Sequence, residues 1–117
     1  MKIIKHGFVT PKEEYPRAYN AWPTVISLSD GTLLAAWSGN RLKHICPFGE
    51  VKAARSTDGG YTWGEEIIIS ESSDPSDFDL GYPSTARLED GTLITTYYQA
   101  YGEDKTPSVL YTRWRLN

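Results

Sequence analysis

The hydrophobic and polar positions of this chain alternate in short runs that Gly and Pro interrupt, and no segment keeps the i, i+3, i+4 spacing of an amphipathic helix. Two stretches share one pattern: residues 23–38 read PTVISLSDGTLLAAWS and residues 83–98 read PSTARLEDGTLITTYY. In each, an Asp-Gly pair separates two apolar runs. This arrangement is typical of a tight β-hairpin, because both residues tolerate the positive φ that the turn requires. The pattern therefore predicts an all-β chain that repeats one sheet unit.

The segments around the two hairpins predict that each belongs to a larger sheet. The further strands are expected near residues 50–55, 65–70, 83–88, 92–98 and 108–116. The first unit is then a four-stranded meander over roughly residues 22–70, whereas the second unit has only three strands. Residues 2–9 (KIIKHGFV) predict one more strand, which would supply the missing one.

Composition and charge exclude several classes of protein. The chain has 117 residues, a formal net charge of −3 and one Cys, Cys46. Mild acidity without a Lys/Arg run predicts no nucleic-acid partner and no membrane partner. A single Cys excludes an internal disulfide framework and a Cys-rich zinc site. No cofactor and no metal are predicted. The cluster Asp74, Asp77 and Asp79 could suggest a calcium site, but it lacks EF-hand spacing and is interpreted as an acidic connection.

The N-terminal apolar run is too short for a signal peptide, and no stretch is long enough for a membrane span. A cytoplasmic location is therefore expected for the chain as written. A secreted or periplasmic location is expected instead if a leader has been removed.

Residues 56–63 read STDGGYTW and fit the pattern S-x-D-x-G-x-T-W. This segment resembles the Asp-box (BNR repeat) of the sialidase superfamily, which is the hairpin between the third and fourth strands of a β-propeller blade. The matching positions are Ser56, Asp58, Gly60, Thr62 and Trp63. Asp58 can accept hydrogen bonds from the turn backbone, and the glycines permit positive φ. The box is expected to be structural and not catalytic.

The resemblance covers nearly the whole chain, but it matches the first and last blades of a longer bacterial sialidase-like protein. Residues 19–25 (YNAWPTV) look like part of the opening blade, and residues 79–84 (DLGYPS) look like part of the final one. The resemblance implies an N-terminal strand over 1–10, a first blade over 11–75 and a second blade over 76–117.

Full family members usually have six blades. Three copies are therefore expected to close a six-bladed β-propeller as a homotrimer, because two isolated blades would expose apolar faces and unpaired edges. In this arrangement the N-terminal strand of one copy completes the second, four-stranded antiparallel blade of a neighbouring copy.

Meander connectivity puts the long connections on the face opposite the Asp-Gly turns and the Asp-box, and long loops on a rigid scaffold usually carry binding residues. The catalytic pattern of sialidases is matched there only in part. Arg41 falls on an arginine-bearing position and Tyr82 falls where the nucleophilic Tyr lies. However, the motif of the first arginine reads AWP at residues 21–23, and residues 44–46 offer no carboxylate where the acid/base Asp would lie.

The catalytic candidates are Tyr82 and His44, since an unperturbed imidazole pKa of about 6.5 suits acid/base chemistry; an ordinary loop histidine is the alternative for His44. The substrate-binding candidates are Arg41, Arg17 and Tyr101, because guanidinium groups pair bidentately with a carboxylate. The tryptophans are interpreted as packing aromatics before sugar platforms: Trp22, Trp37, Trp63 and Trp114.

The predicted function is a carbohydrate-related, sialidase-like propeller that binds or hydrolyses acidic glycans, although true sialidase activity is not expected. Two alternatives stay open at this point. One is a lectin-like glycan binder, and the other is a non-enzymatic two-blade scaffold that assembles with itself.

Overall fold

The computed structural model describes residues 1–11, 14, 16, 18–43, 49–71, 80–101 (backbone only at 101) and 106–116. These residues form seven β-strands and no helix, which confirms the all-β prediction. The strands are β1 (Tyr19–Ser27), β2 (Leu33–Arg41), β3 (Glu50–Ser56), β4 (Ile67–Glu71), β5 (Leu80–Arg87), β6 (Leu93–Tyr101) and β7 (Thr106–Trp114). The described residues accordingly include no helix long and apolar enough to span a membrane.

The strands form two antiparallel meanders, one with the order β1-β2-β3-β4 and one with the order β5-β6-β7. The second sheet has three strands instead of the expected four. Residues 1–8 form no strand within this chain, and residues 4–8 line a pocket with residues 59–61 and Trp63 of the first sheet's third turn. Lys5 Nζ in this segment donates a hydrogen bond to the Tyr61 carbonyl oxygen at 3.1 Å.

The two predicted hairpin turns have the same geometry. Leu28 and Leu88 each donate a backbone hydrogen bond of 2.8 Å to the threonine carbonyl four residues later. The glycines of the two turns have φ values of 83° and 81°, in the region that favours glycine. The repeat seen in the sequence is therefore also a structural repeat with an offset of 60 residues.

The two sheets pack face to face, and the core of the chain lies between them. The inner face of the first sheet is the face that carries Leu34, Ala36 and Ala53, which pack against Leu93 of the second sheet. Val51 of the same face packs against Leu80 and Tyr97 in a second cluster. Because side chains alternate between the faces of a strand, each sheet also has an outer face that points away from the other sheet.

Candidate functional site

The candidate site lies at the end of the sheets where β1 and β5 begin, opposite the Asp-Gly turns. Trp22 and Tyr82 occupy equivalent positions there, 60 residues apart and each before a proline. Both have positive φ, 56° and 51°, and both sit within a register shift of the first strand of their sheet. Positive φ is rare for bulky residues and is often found at functional positions, so this repeated outlier marks the site.

The side chains of these two residues form part of an aromatic stack that joins the sheets. The Trp22 and Tyr82 rings are stacked with centroids 4.6 Å apart, and the Tyr82 and Tyr98 centroids are 5.5 Å apart. Tyr82 is 55% exposed although it lies in the middle of the stack. Pro23 and Pro83 line a shallow groove of about 260 Å³ beside the Trp22 and Tyr82 rings.

Arg41 packs against the Trp22 ring of this stack. Its guanidinium carbon lies 4.9 Å from the centroid of the Trp22 ring, a cation–π distance. Arg41 Nη1 donates hydrogen bonds to the Leu80 carbonyl oxygen at 2.6 Å and to Ser38 Oγ at 3.1 Å. The side chain is fully buried, so its observed contacts hold β2 to β5 inside the protein. A role as ligand for a substrate carboxylate stays a prediction.

Gly81 lets the Trp22 ring lie directly on the backbone of β5. A Cβ atom at this position would lie 3.1 Å from Trp22 Cε3 and 3.4 Å from Ser38 Cβ. Both distances are at or below ordinary van der Waals contact, so the Trp22 ring would have to shift by a few tenths of an ångström to accommodate a larger residue. The absence of a side chain at Gly81 therefore helps to set the position of Trp22.

The residues of the predicted Asp-box come together at the opposite end of the first sheet. Asp58 Oδ1 accepts hydrogen bonds from the backbone N–H groups of Tyr61 and Thr62 at 3.0 and 2.9 Å, and from Ser56 Oγ at 2.9 Å. Gly60 donates its N–H to Ser56 Oγ at 2.8 Å and has a φ of 90°. The hydrogen bond from the Thr62 side chain is the main cause that lowers the pKa of Asp58 to about 2. The Asp58 carboxylate thus stabilises the turn through these hydrogen bonds.

Neither the comparison with protein-family models nor that with curated proteins finds a match for this chain. The relation to sialidases thus rests on the sequence resemblance alone.

The remaining predicted site residues are not assembled by the described part of the structure. Arg17, His44 and the acidic cluster at residues 74–79 lie outside the described residues. Tyr101 is the last residue of β6, and its side chain lies outside the described part of the structure. Among the described residues, no carboxylate is hydrogen-bonded to the Tyr82 hydroxyl, and no cluster of three His, Cys, Asp or Glu could hold a metal ion.

Sequence reasoning missed the contribution of Trp22 and Tyr98 to the site. Trp22 was expected to be a packing aromatic, and its ring does pack, but it does so against the exposed Tyr82. The signal that could have revealed this is the shared aromatic-Pro pair at residues 22–23 and 82–83. Nothing local in the sequence indicated that Tyr98 would lie beside Tyr82.

Proposed function

We propose that this chain is a carbohydrate-binding, sialidase-like unit of two propeller blades. The observation that carries the proposal is the stack of Trp22 on Tyr82 at the end of the sheets, where both residues have positive φ. A sugar ring has an apolar face of C–H groups that packs on aromatic rings, and exposed aromatic surface held in place by a rigid scaffold suits such a ligand. The Tyr82 ring and the adjacent prolines form the surface that the sugar would contact.

Binding is favoured over hydrolysis by the surroundings of Tyr82. A tyrosine that acts as nucleophile needs a neighbouring base to activate it, and no described carboxylate is hydrogen-bonded to its hydroxyl. The buried Arg41 is committed to Ser38 Oγ and the Leu80 carbonyl oxygen. The proposal is therefore a lectin-like glycan binder, with the sialidase-like hydrolase as the competing function.

In this proposal, three copies close a six-bladed propeller, and the aromatic stacks line one end of the ring. The support comes from the structural repeat, from the four-stranded meander with its Asp-box segment at residues 56–63, and from the second sheet that lacks one strand. A closed ring of identical copies is a common symmetry for soluble oligomers.

The test is a binding measurement on the whole protein with sialyllactose and with lactose as the neutral probe. Loss of a stacked aromatic ring costs about 1 kcal/mol or more, so Tyr82→Ala is expected to weaken binding at least about fivefold. Tyr82→Phe keeps the ring and is expected to bind like the unaltered protein. Tyr61→Ala is the matched control, because Tyr61 is 53% exposed at the opposite end of the sheet.

Three outcomes would contradict the proposal: no binding to either probe, equal losses in Tyr82→Ala and Tyr61→Ala, or binding that Tyr82→Ala leaves unchanged. A fluorogenic sialoside assay addresses the competing function. Turnover that disappears in Tyr82→Phe would establish the hydrolase in place of the binder.

A further inference from the structure

The outer face of the second sheet exposes apolar residues whose counterparts in the first sheet are buried. Leu33 and Leu93 are equivalent in the repeat, and their partners are Ser56 in β3 and Trp114 in β7. Counting back along the two strands from these partners, Val51 of β3 is equivalent to Val109 of β7. Val51 is fully buried between the sheets, whereas Val109 is 82% exposed. By the same register, Tyr111 is equivalent to the fully buried Ala53, and it is 67% exposed.

On the outer face of the first sheet, the exposed residue belongs to the first sheet and its buried counterpart belongs to the second. Val25 lies on this face opposite Ala35 and is 60% exposed, whereas its repeat equivalent in β5, Thr85, is 8% exposed because it faces the first sheet. Ala35 and Trp37 line a cleft of about 330 Å³ with residues 7–11. The face with Val109 and Tyr111 is thus the counterpart of a face that the other sheet covers within the chain. On the outer face of the first sheet, Ala35 and Trp37 are buried beside residues 7–11, whereas Val25 stays exposed.

We infer that a second copy of this chain packs head to tail on the first, with its Val109 and Tyr111 face against the outer face that carries Val25. This contact would continue the packing that already joins the two sheets, because it brings together the same pair of face types. The contact is heterologous, and repetition of such a contact about a rotation axis gives a closed ring. The inference rests on the proposed two-blade assembly and identifies the surfaces that build it.

The N-terminal segment contributes to the same contact. Its residues Ile3, Ile4 and Phe8 are exposed, and residues 7–11 lie on the outer face of the first sheet, where the second copy docks. Within the described residues, no strand pairs with the outer edge of β7. Docking brings this edge beside the segment, which then adds to it as a fourth antiparallel strand and satisfies its open backbone groups. One copy thus completes the second sheet of the other.

Light scattering coupled to size-exclusion chromatography tests this arrangement with two variants. Val109→Glu blocks the outer face of the second sheet, and Val25→Glu blocks the outer face of the first. We expect the unaltered protein at three times the 13.2 kDa chain mass, and each variant alone at the mass of one chain. An equimolar mixture of the variants keeps one intact surface of each kind, so it is expected to give a species of two chains and no larger one.

Leu42→Glu is the control, because Leu42 is exposed but lies after β2, outside both sheets; it is expected to keep the mass of three chains. Far-ultraviolet circular dichroism verifies that every variant is folded. An unaltered protein at the mass of one chain, variants that still assemble, or a mixture that stays at one chain would each overturn the inference. Glycan binding by the monomeric variants separates the two proposals, since it would leave the proposed glycan binding standing independently of the trimer.

Discussion

At the scale of single residues, the site depends on contacts between side chains that are far apart in the sequence. Trp22 and Tyr82 each adopt a backbone conformation that their side chains disfavour, and their stacking holds both in place. Arg41 fixes this arrangement, because one guanidinium contacts the Trp22 ring and the Leu80 carbonyl oxygen together. The buried cation thereby couples the geometry of the site to the packing of the two sheets.

Arg41→Ala is expected to lower the free energy of unfolding by about 2–4 kcal/mol, since it removes two buried charge-assisted hydrogen bonds and leaves a space beneath Trp22. Urea denaturation monitored by tryptophan fluorescence measures this change. Arg113→Ala is the control, because Arg113 is half exposed and bonds Asp90 at 2.8 Å, and surface pairs contribute at most about 1 kcal/mol. Equal losses in the two variants would show that Arg41 has no special structural role.

At the scale of elements, three turns use an aspartate in the same way. Asp30, Asp58 and Asp90 each accept hydrogen bonds from a nearby threonine, and the threonine side chain is the first cause that lowers the pKa of each carboxyl group. The pKa of Asp58 and that of Asp90 fall to about 2. The three hairpins therefore share one charge-dependent means of closing the turn.

This sharing predicts a loss of stability in acid. Carboxyl groups whose pKa is lower in the folded than in the unfolded state stabilise the fold above the unfolded value of 3.8, and this contribution disappears as the pH falls toward about 2. Asp58→Asn is expected to destabilise the protein at pH 6, with a difference from the unaltered protein that shrinks by pH 2.5. Urea denaturation across this range measures it.

Glu89→Gln is the control for Asp58→Asn, because it also removes one negative charge from a turn. Glu89 lies next to Asp90, and its side chain makes no turn hydrogen bond among the described contacts. A difference between Asp58→Asn and the unaltered protein that stays constant from pH 6 to pH 2.5 would contradict the role of the charge.

The elements show what could be predicted from the sequence. The hairpins follow from local signals, because an Asp-Gly pair fixes a turn and alternation fixes the strands beside it. The start of β5 was expected at Pro83, but the strand begins at Leu80 and includes the register shift between Gly81 and Ser84. The stack of Trp22 on Tyr82 could not be predicted, since these residues are 60 positions apart and meet only when the two sheets pack together.

At the scale of the whole molecule, each chain has one packed interface between its two sheets and two outer faces that expose apolar side chains. The N-terminal strand predicted over residues 2–9 is not formed within one chain. A strand needs a neighbouring edge for its backbone hydrogen bonds, and the proposed edge belongs to another copy. The residues predict the strand itself, whereas its pairing with a neighbouring copy follows only from the resemblance to propeller blades and stays a prediction.

Hydrogen exchange measured by mass spectrometry is expected to detect that pairing. Peptides from residues 2–9 and 106–114 should both be protected in the unaltered protein and should both lose protection in Val109→Glu. Peptides from β2 are the internal reference, because β2 is paired on both sides within one chain. Unprotected N-terminal peptides in a protein of three-chain mass would show that the copies assemble without exchange of the strand.

The exposed positions of Val109 and Tyr111 also affect how the stability of this protein should be described. If apolar surface becomes buried only when copies meet, part of the free energy of folding comes from association and follows the law of mass action. The melting temperature would then rise with protein concentration, and a single value would describe the solution as much as the chain. Dilution alone would act on this fold as a mild denaturant.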